Sequence, residues 1–289
     1  MEAIATMNLA FSTNAFKRYP LNDSIKEIAK IGYSGVEILC DIPHAYPPLF
    51  GAEQILSLNN TISTLNLQIS NLNAFTLYAM GDVYHPSWIE EEHDDGGVSS
   101  GRQARIQHTI NCIRLTKKIG GKCLSTEPGG PVSTPASSTS LHELEKIFLD
   151  GLAKVTKVAE EEDVKVLIEP EPFLLIENSQ QFKHFIKSVG SNAVKLNFDI
   201  GHFYCVNEDP AKLVYDLSDY IEHFHLADIA ENRVHNHLIP GRGSIDFCSV
   251  FEAMDNIGYH GFVTVELYPY QDHPIEAARE AYHYLCSIM

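Results

Sequence analysis

Five short apolar phrases in this chain end on a residue able to bind a cation or move a proton. They are KCLSTE at Glu127, VKVLIE at Glu169, VKLNFD at Asp199, YIEHFH at His225 and GFVTVE at Glu266. VKVLIE and VKLNFD are nearly the same phrase, with an acid five residues after Val in both. Carboxylates and an imidazole facing one another repel and desolvate unless protonated or neutralised. A divalent cation is the simplest neutraliser, and an oxygen-rich set with one nitrogen suits Mn²⁺, Mg²⁺, Co²⁺ or Zn²⁺. Taken singly, the residues leave ordinary roles open: Asp199 as a helix cap, Glu169 or Glu266 as the partner of a Lys or Arg. Buried carboxylates need partners, yet the chain has 21 Lys+Arg against 38 Asp+Glu, a net charge of -17.

Residues so far apart in sequence meet only if the elements before them converge. Short runs rich in Val, Ile, Leu and Phe alternate with longer amphipathic segments, the pattern of successive βα units and a parallel sheet. Candidate strands cover 8–12, 35–39, 68–73, 122–127, 164–169, 194–199, 220–225 and 262–266. Eight such units in 289 residues predict an α/β fold, a (β/α)8 TIM barrel, with 1–289 as a single domain. In that fold the strand ends gather at one mouth. The helices carry punctuation: Asn22 is placed to cap the first, with Gly32 as its left-handed stop, and Asn178 and Gly190 bracket ENSQQFKHFIKSVG. Pro210 after Asp209 and Pro274 after His273 read as first-turn prolines with a cap before them.

Two stretches, 76–101 after strand three and 127–140 after strand four, exceed normal loop length, which marks lids or functional segments on the barrel rim. The composition, 44% apolar and 10% aromatic, is that of a globular protein. The negative charge opposes phosphate backbones, so no nucleic-acid partner is expected. Six cysteines lie scattered without a CxxC pair, which fits a reducing compartment. No signal peptide or membrane span is visible, so the expected location is cytoplasmic.

Together, GYSGVEI, LIEPEP, NFDIGH, HFHLAD, HLIPGRGSIDF and VTVE resemble the xylose isomerase-like TIM barrels, a superfamily of sugar isomerases, ketose 3-epimerases, inosose dehydratases and endonuclease IV. By resemblance to the epimerases, Glu169, Asp199, His225 and Glu266 match four metal ligands, and Glu169 and Glu266 match the proton-transfer pair. His202 matches a contact to a substrate hydroxyl, and Arg233 matches a substrate-contacting arginine, although it lies further from His225 than that pattern has it. Glu127 and His237 are further candidates for substrate contact.

The resemblance implies a divalent-metal-dependent isomerase or epimerase acting on a sugar, sugar phosphate or polyol, through a metal-stabilised enediolate. Two carboxylates and a cation provide the base, the proton return and the electrophile that such chemistry needs. Alternatives are an inosose-type dehydratase, an endonuclease IV-like repair enzyme and a noncatalytic sugar-binding barrel. Against the repair enzyme, two histidines of its three-zinc pattern are replaced by Asn71 or Asn73 and by Glu127, and His235 stands where that pattern has an aspartate. His235 and His237 alternate, so an extended segment would turn both one way, and with His202 they could take a second metal or contact substrate. PGRG, 240–243, is either a phosphate-binding turn or a plain one. Homodimerisation fits barrels of this kind.

Overall fold

Val, Ile, Leu and Phe at alternating strand positions give each strand an apolar outer edge, and this covers the barrel with helices. A computed structural model describes residues 8–80, 86–89, 101–130 and 140–289. Most of the two long stretches after strands three and four lies outside the described residues.

The strands are β1 (Asn8–Ser12), β2 (Gly35–Leu39), β3 (Gln68–Asn73), β4 (Cys123–Thr126), β5 (Lys165–Ile168), β6 (Val194–Asp199), β7 (Ile221–Leu226) and β8 (Phe262–Val265). All pair in parallel, and β8 closes on β1. The predicted TIM barrel is therefore the observed fold, with strand bounds within one residue of expectation. Among the described residues the helices are α1 (Leu21–Ile31), α2 (Ala52–Thr64), α3 (Gly101–Lys118), α4 (Leu141–Glu162), α5 (Ser179–Val189), α6 (Ile200–Cys205), α7 (Pro210–Asp216), α8 (Phe247–Asn256) and α9 (Pro274–Ile288). The short α6, started by Asp199, is one more than eight strand and helix units require.

Two layers follow from the period of two along each strand. Outward, Phe11 packs on Tyr33, Phe198 on Phe203 of α6, and Phe224 on Tyr259. Inward, the barrel is filled with polar groups. The His223 ring bonds Asn197 Oδ1 and Thr264 Oγ1, each at 2.8 Å, and the Thr264 hydroxyl meets Ser70 Oγ at 3.0 Å. Closing the strands into a barrel shields these groups from water and makes them satisfy one another.

The punctuation is mostly as read. Asn178 caps α5 in a capping box with Gln181, Gly190 ends it at φ 68°, and Asp209 caps α7 before Pro210. Pro274 opens α9, although His273 makes no side-chain cap bond. Asn22 is a correction. Helix α1 starts at Leu21, so Asn22 is already inside it, and its amide donates to Ser57 Oγ on α2 at 2.7 Å.

Candidate metal centre and active-site cavity

Glu169 and Glu266 lie one residue past β5 and β8, Asp199 ends β6, and His225 stands near the end of β7. Pairing puts Asp199 beside His225 and Leu226 beside Val265, which aims all four side chains inward at the carboxyl rim. One donor atom from each lies within 4.8 Å of every other, and all four residues are buried. The four strand-end residues nominated from sequence therefore form one cluster.

Hydrogen bonds orient each member. Asp199 Oδ1 accepts the His202 amide at 2.8 Å, so Asp199 does cap α6, and its Oδ2 is left buried without a partner. Glu169 Oε1 lies 2.9 Å from His225 Nδ1, and Glu169 Oε2 is likewise buried and unpartnered. Glu266 Oε1 accepts from Asn14 Nδ2 at 2.8 Å and Asn73 Nδ2 at 2.9 Å. His225 Nε2 lies 2.5 Å from Glu37 Oε2, on β2.

Two orphaned carboxylate oxygens beside an imidazole nitrogen are what a cation completes. Buried acceptors left empty cost ~1–3 kcal/mol each, whereas a divalent ion takes lone pairs from all of them at once. Glu37 accepts a hydrogen bond from His225 Nε2–H, so that Nδ1 is the nitrogen whose lone pair would serve an ion, the usual carboxylate–histidine arrangement at a metal. Mn²⁺, Mg²⁺, Co²⁺ and Zn²⁺ all accept such an O/N donor set.

The ionisable groups show the same crowding. Burial alone would push His225 down, but Glu169, Glu37 and Glu266 together hold it well above the usual histidine range. Burial raises Glu266 well above the usual carboxylate range, with Glu169, Glu37 and Asp199 adding to it against the pull of His225. Burial works against ionised Asp199 and Glu37 as well. The histidines around each outweigh it and bring both to about 2.

Three more histidines border the cluster. His202 Nδ1 meets the Pro170 carbonyl at 3.0 Å and His237 Nδ1 the Glu266 carbonyl at 2.9 Å, so each donates there and keeps Nε2 as an acceptor. His235 Nε2 and His237 Nε2 are 3.2 Å apart. Burial lowers His202 to about 3 and His235 to about 4, which makes both neutral near pH 7. His202, His235 and His237 form a second set of donor atoms within 4.8 Å of one another.

A cavity of about 410 Å³ opens above the centre, lined among others by Asn14, Lys17, Asn73, Glu127, Glu171, His202 and Tyr268. Glu127 thus reaches the cavity, with its Oε1 accepting the Trp88 amide at 3.1 Å and lying 3.7 Å from Arg105 Nε. Arg233 is not among the lining residues. Its backbone has φ 58°, and its guanidinium stacks on the Tyr204 ring at 3.8 Å while Nη1 donates to the Tyr204 carbonyl.

PGRG is a turn whose amides are spent internally. Gly241 and Gly243 N–H donate to Asp228 Oδ2 at 2.9 and 2.8 Å, and Ile229 and Ile245 N–H donate to Oδ1. A Cβ on Gly243 would sit 2.3 Å from Asp228 Oδ1, so glycine is required there.

Sequence reading missed Glu37, Asn14 and Lys17. The available signal was an acid at the centre of the apolar strand GVEIL, on the face that alternation turns inward.

Comparison with known proteins agrees with this architecture. The profile of the xylose isomerase-like TIM barrel family matches residues 25–288. An inosose dehydratase of Clostridium beijerinckii is 26% identical, covering 93% of this chain and 90% of its own. A fructoselysine 3-epimerase of Shigella flexneri is 24% identical, covering 95% of both chains. A crystal structure of the IolI protein with a bound zinc atom superposes with a TM-score of 0.77 at 20% identity, covering 98% of each chain.

Proposed function

This chain belongs to the xylose isomerase-like TIM barrel family, and from that premise we propose that it is a divalent-metal-dependent sugar isomerase or epimerase. The observation that carries the reading is the pair Glu169 and Glu266, inside one buried cluster with Asp199 and His225. Those four residues would hold the ion. When bound, the metal supplies a Lewis acid that offsets charge developing on neighbouring substrate oxygens.

The protein's own groups do the rest. Glu169 and Glu266 extend from strands separated by β6 and β7, so the two carboxylates approach a substrate carbon from different sides. One takes the proton from a C–H beside a carbonyl, and the other returns a proton to the carbon that becomes the new centre. Asn14 and Asn73 keep Glu266 Oε1 fixed. His202, neutral with Nε2 open, accepts a hydrogen bond from a substrate hydroxyl. Glu127 and His235 contribute polar walls, with His237 held beside His235 and not on the lining, and the depth of the cavity limits water around the transferring proton.

Solvent deuterium incorporation tests this. Protein loaded with Mn²⁺, Mg²⁺, Co²⁺ or Zn²⁺ and offered ketoses, aldoses and cyclic polyols in D₂O should exchange an acidic C–H. Glu266→Gln should cut that rate by at least ~10²-fold, since positioned acid–base groups contribute that much or more. No exchange with any metal and any member of the panel would overturn the reading.

A second reading, a dehydratase, is favoured by the inosose dehydratase that aligns over nearly the whole chain. Mass spectrometry of the products separates the two, because the dehydratase product is lighter by one water.

A further inference from the structure

Among its described lining residues the cavity has four carboxylates, Glu127, Glu169, Glu171 and Glu266, and a single Lys or Arg, Lys17. Lys17 is placed by rigid structure. It directly follows the 3-10 turn Thr13–Phe16, which Ser12 at the end of β1 starts by accepting the Asn14 amide. The next residue, Arg18, points elsewhere and pairs with Asp272 at the exposed surface.

Lys17 Nζ rests 4.7 Å from the centre of the Tyr78 ring. Among the described residues no carboxylate approaches it within ion-pair distance. Asp41 and Glu266 act on it only through space, and both are engaged elsewhere. Asp41 accepts from the Ile42 amide at 2.8 Å, the Thr76 hydroxyl at 2.8 Å, and the Tyr78 and Ala79 amides at 2.6 and 3.1 Å. Glu266 Oε1 holds the two asparagine amides described above. An ammonium has three donors and no acceptor, and partial burial makes its charged form costly, which pulls Lys17 below the ordinary lysine range. Lys17 lines the cavity, so an anionic group held there can take those donors.

On the same turn, Asn14 spends its Nδ2 on Glu266 and leaves Oδ1 buried with no partner. One end of the cavity therefore offers a cation and, beside it, a hydrogen-bond acceptor. The other anion site suggested by the sequence is closed, because the PGRG amides go to Asp228 and Arg242 is bound to Glu280.

We infer that the substrate carries an anionic group, a carboxylate or a phosphate, which Lys17 binds at the β1 end of the cavity while a neighbouring hydroxyl donates to Asn14 Oδ1. The inference rests on the reading of the cavity as a sugar site and adds the charge class of the sugar. Charge-assisted hydrogen bonds are about twice as strong as neutral ones, and a lysine binds such groups as a point charge without demanding the planar fork of arginine.

Calorimetric titration of the Mn²⁺-loaded protein with D-fructose, D-fructose 6-phosphate and 5-keto-D-gluconate tests it. At least one of the two anionic sugars should bind tenfold or more tightly than D-fructose. Which of them does so tells phosphate from carboxylate. Lys17→Met should bring its affinity to that of the neutral sugar, whereas Lys17→Arg should keep most of the preference. The inference is overturned if D-fructose binds as tightly as both anionic sugars, if neither anionic sugar binds at millimolar concentration, or if Lys17→Met leaves the preference intact. Deuterium exchange separates the two readings. Exchange without anionic preference sinks this inference alone, and Lys17-dependent anion binding without exchange sinks proton transfer alone.

Discussion

His225 shows how one side chain joins the barrel interior to the chemistry. Its Nδ1 faces Glu169 and Glu266, at 2.9 and 3.9 Å, and its Nε2 meets Glu37 at 2.5 Å. A histidine offers a lone pair on one nitrogen only when the proton sits on the other, so Glu37 determines which nitrogen is free. Glu37→Gln replaces an acceptor with a side chain able to donate to Nε2, and that favours the tautomer with its proton on Nδ1. Metal affinity should fall ~10–100-fold, the usual cost of losing such a partner, as measured by competition against a chelator. Unchanged affinity would mean that Nδ1 is not the ligand. Asn71 donates to the other side of the same Glu37 oxygen at 2.7 Å, so the substitution also reports on the polar interior.

At the scale of elements, the loop after β7 depends on one carboxylate. Asp228 accepts four backbone N–H groups, from Ile229, Gly241, Gly243 and Ile245, and so folds 17 residues of chain back against the barrel. Removing it leaves buried donors unsatisfied at ~1–3 kcal/mol each. Asp228→Ala should therefore lower unfolding stability by at least ~3 kcal/mol, read from urea denaturation, and a loss under ~1 kcal/mol would contradict this account. Asn178→Ala removes the cap of α5 and should cost about 1 kcal/mol in the same assay. Such caps are local chemistry, which is why Asn178, Gly190 and Asp209 were legible in the sequence. Asn22 was not, because its competing partner, Ser57, lies on another helix. The same division holds in the site. Glu169, Asp199, His225 and Glu266 were legible because a parallel barrel brings its strand ends together wherever they fall in the chain. Glu37 lies inside its strand, and Asn14 and Lys17 lie on a turn beyond theirs. Their roles depend on β1 closing against β8 and on β2 facing β7 across the barrel, which no local pattern records. Arg233 was nominated through resemblance, and its positive φ turns it onto Tyr204 instead.

For the whole molecule, the polar barrel interior implies a particular response to acid. Buried His202 and His223 are lowered to about 3 and His235 to about 4, in each case chiefly by desolvation. The unfolded chain protonates these residues near pH 6.5 while the folded one does not, so falling pH favours unfolding from about 6.5 down to 3. Asp199 and Glu37, held at about 2, act in the same direction at lower pH. Their stabilisation is present above their unfolded values near 4 and is lost as pH falls toward 2. His225 opposes the trend. It is raised, so its contribution is complete below about 6.5 and is lost as pH rises through its folded value. Glu266 and Glu171, both raised well above the usual carboxylate range chiefly by burial, oppose the trend too, because the folded protein keeps their protons where the unfolded chain releases them. Bound metal displaces the protons of His225 and Glu266 and removes that part of the opposition, so the metal-loaded protein should have a lower urea midpoint at pH 5 than at pH 7.5. A saturating divalent ion adds stability at pH 7.5, where the ligands bind it without proton competition, and less at pH 5, where protons compete for His225 and the carboxylates. The gap between the two midpoints should thus widen when metal is present. In the metal-loaded protein, a midpoint that rises on acidification would show that the interior histidines are charged in the folded state, and the hydrogen-bond assignments made for His202 and His223 would fall with it.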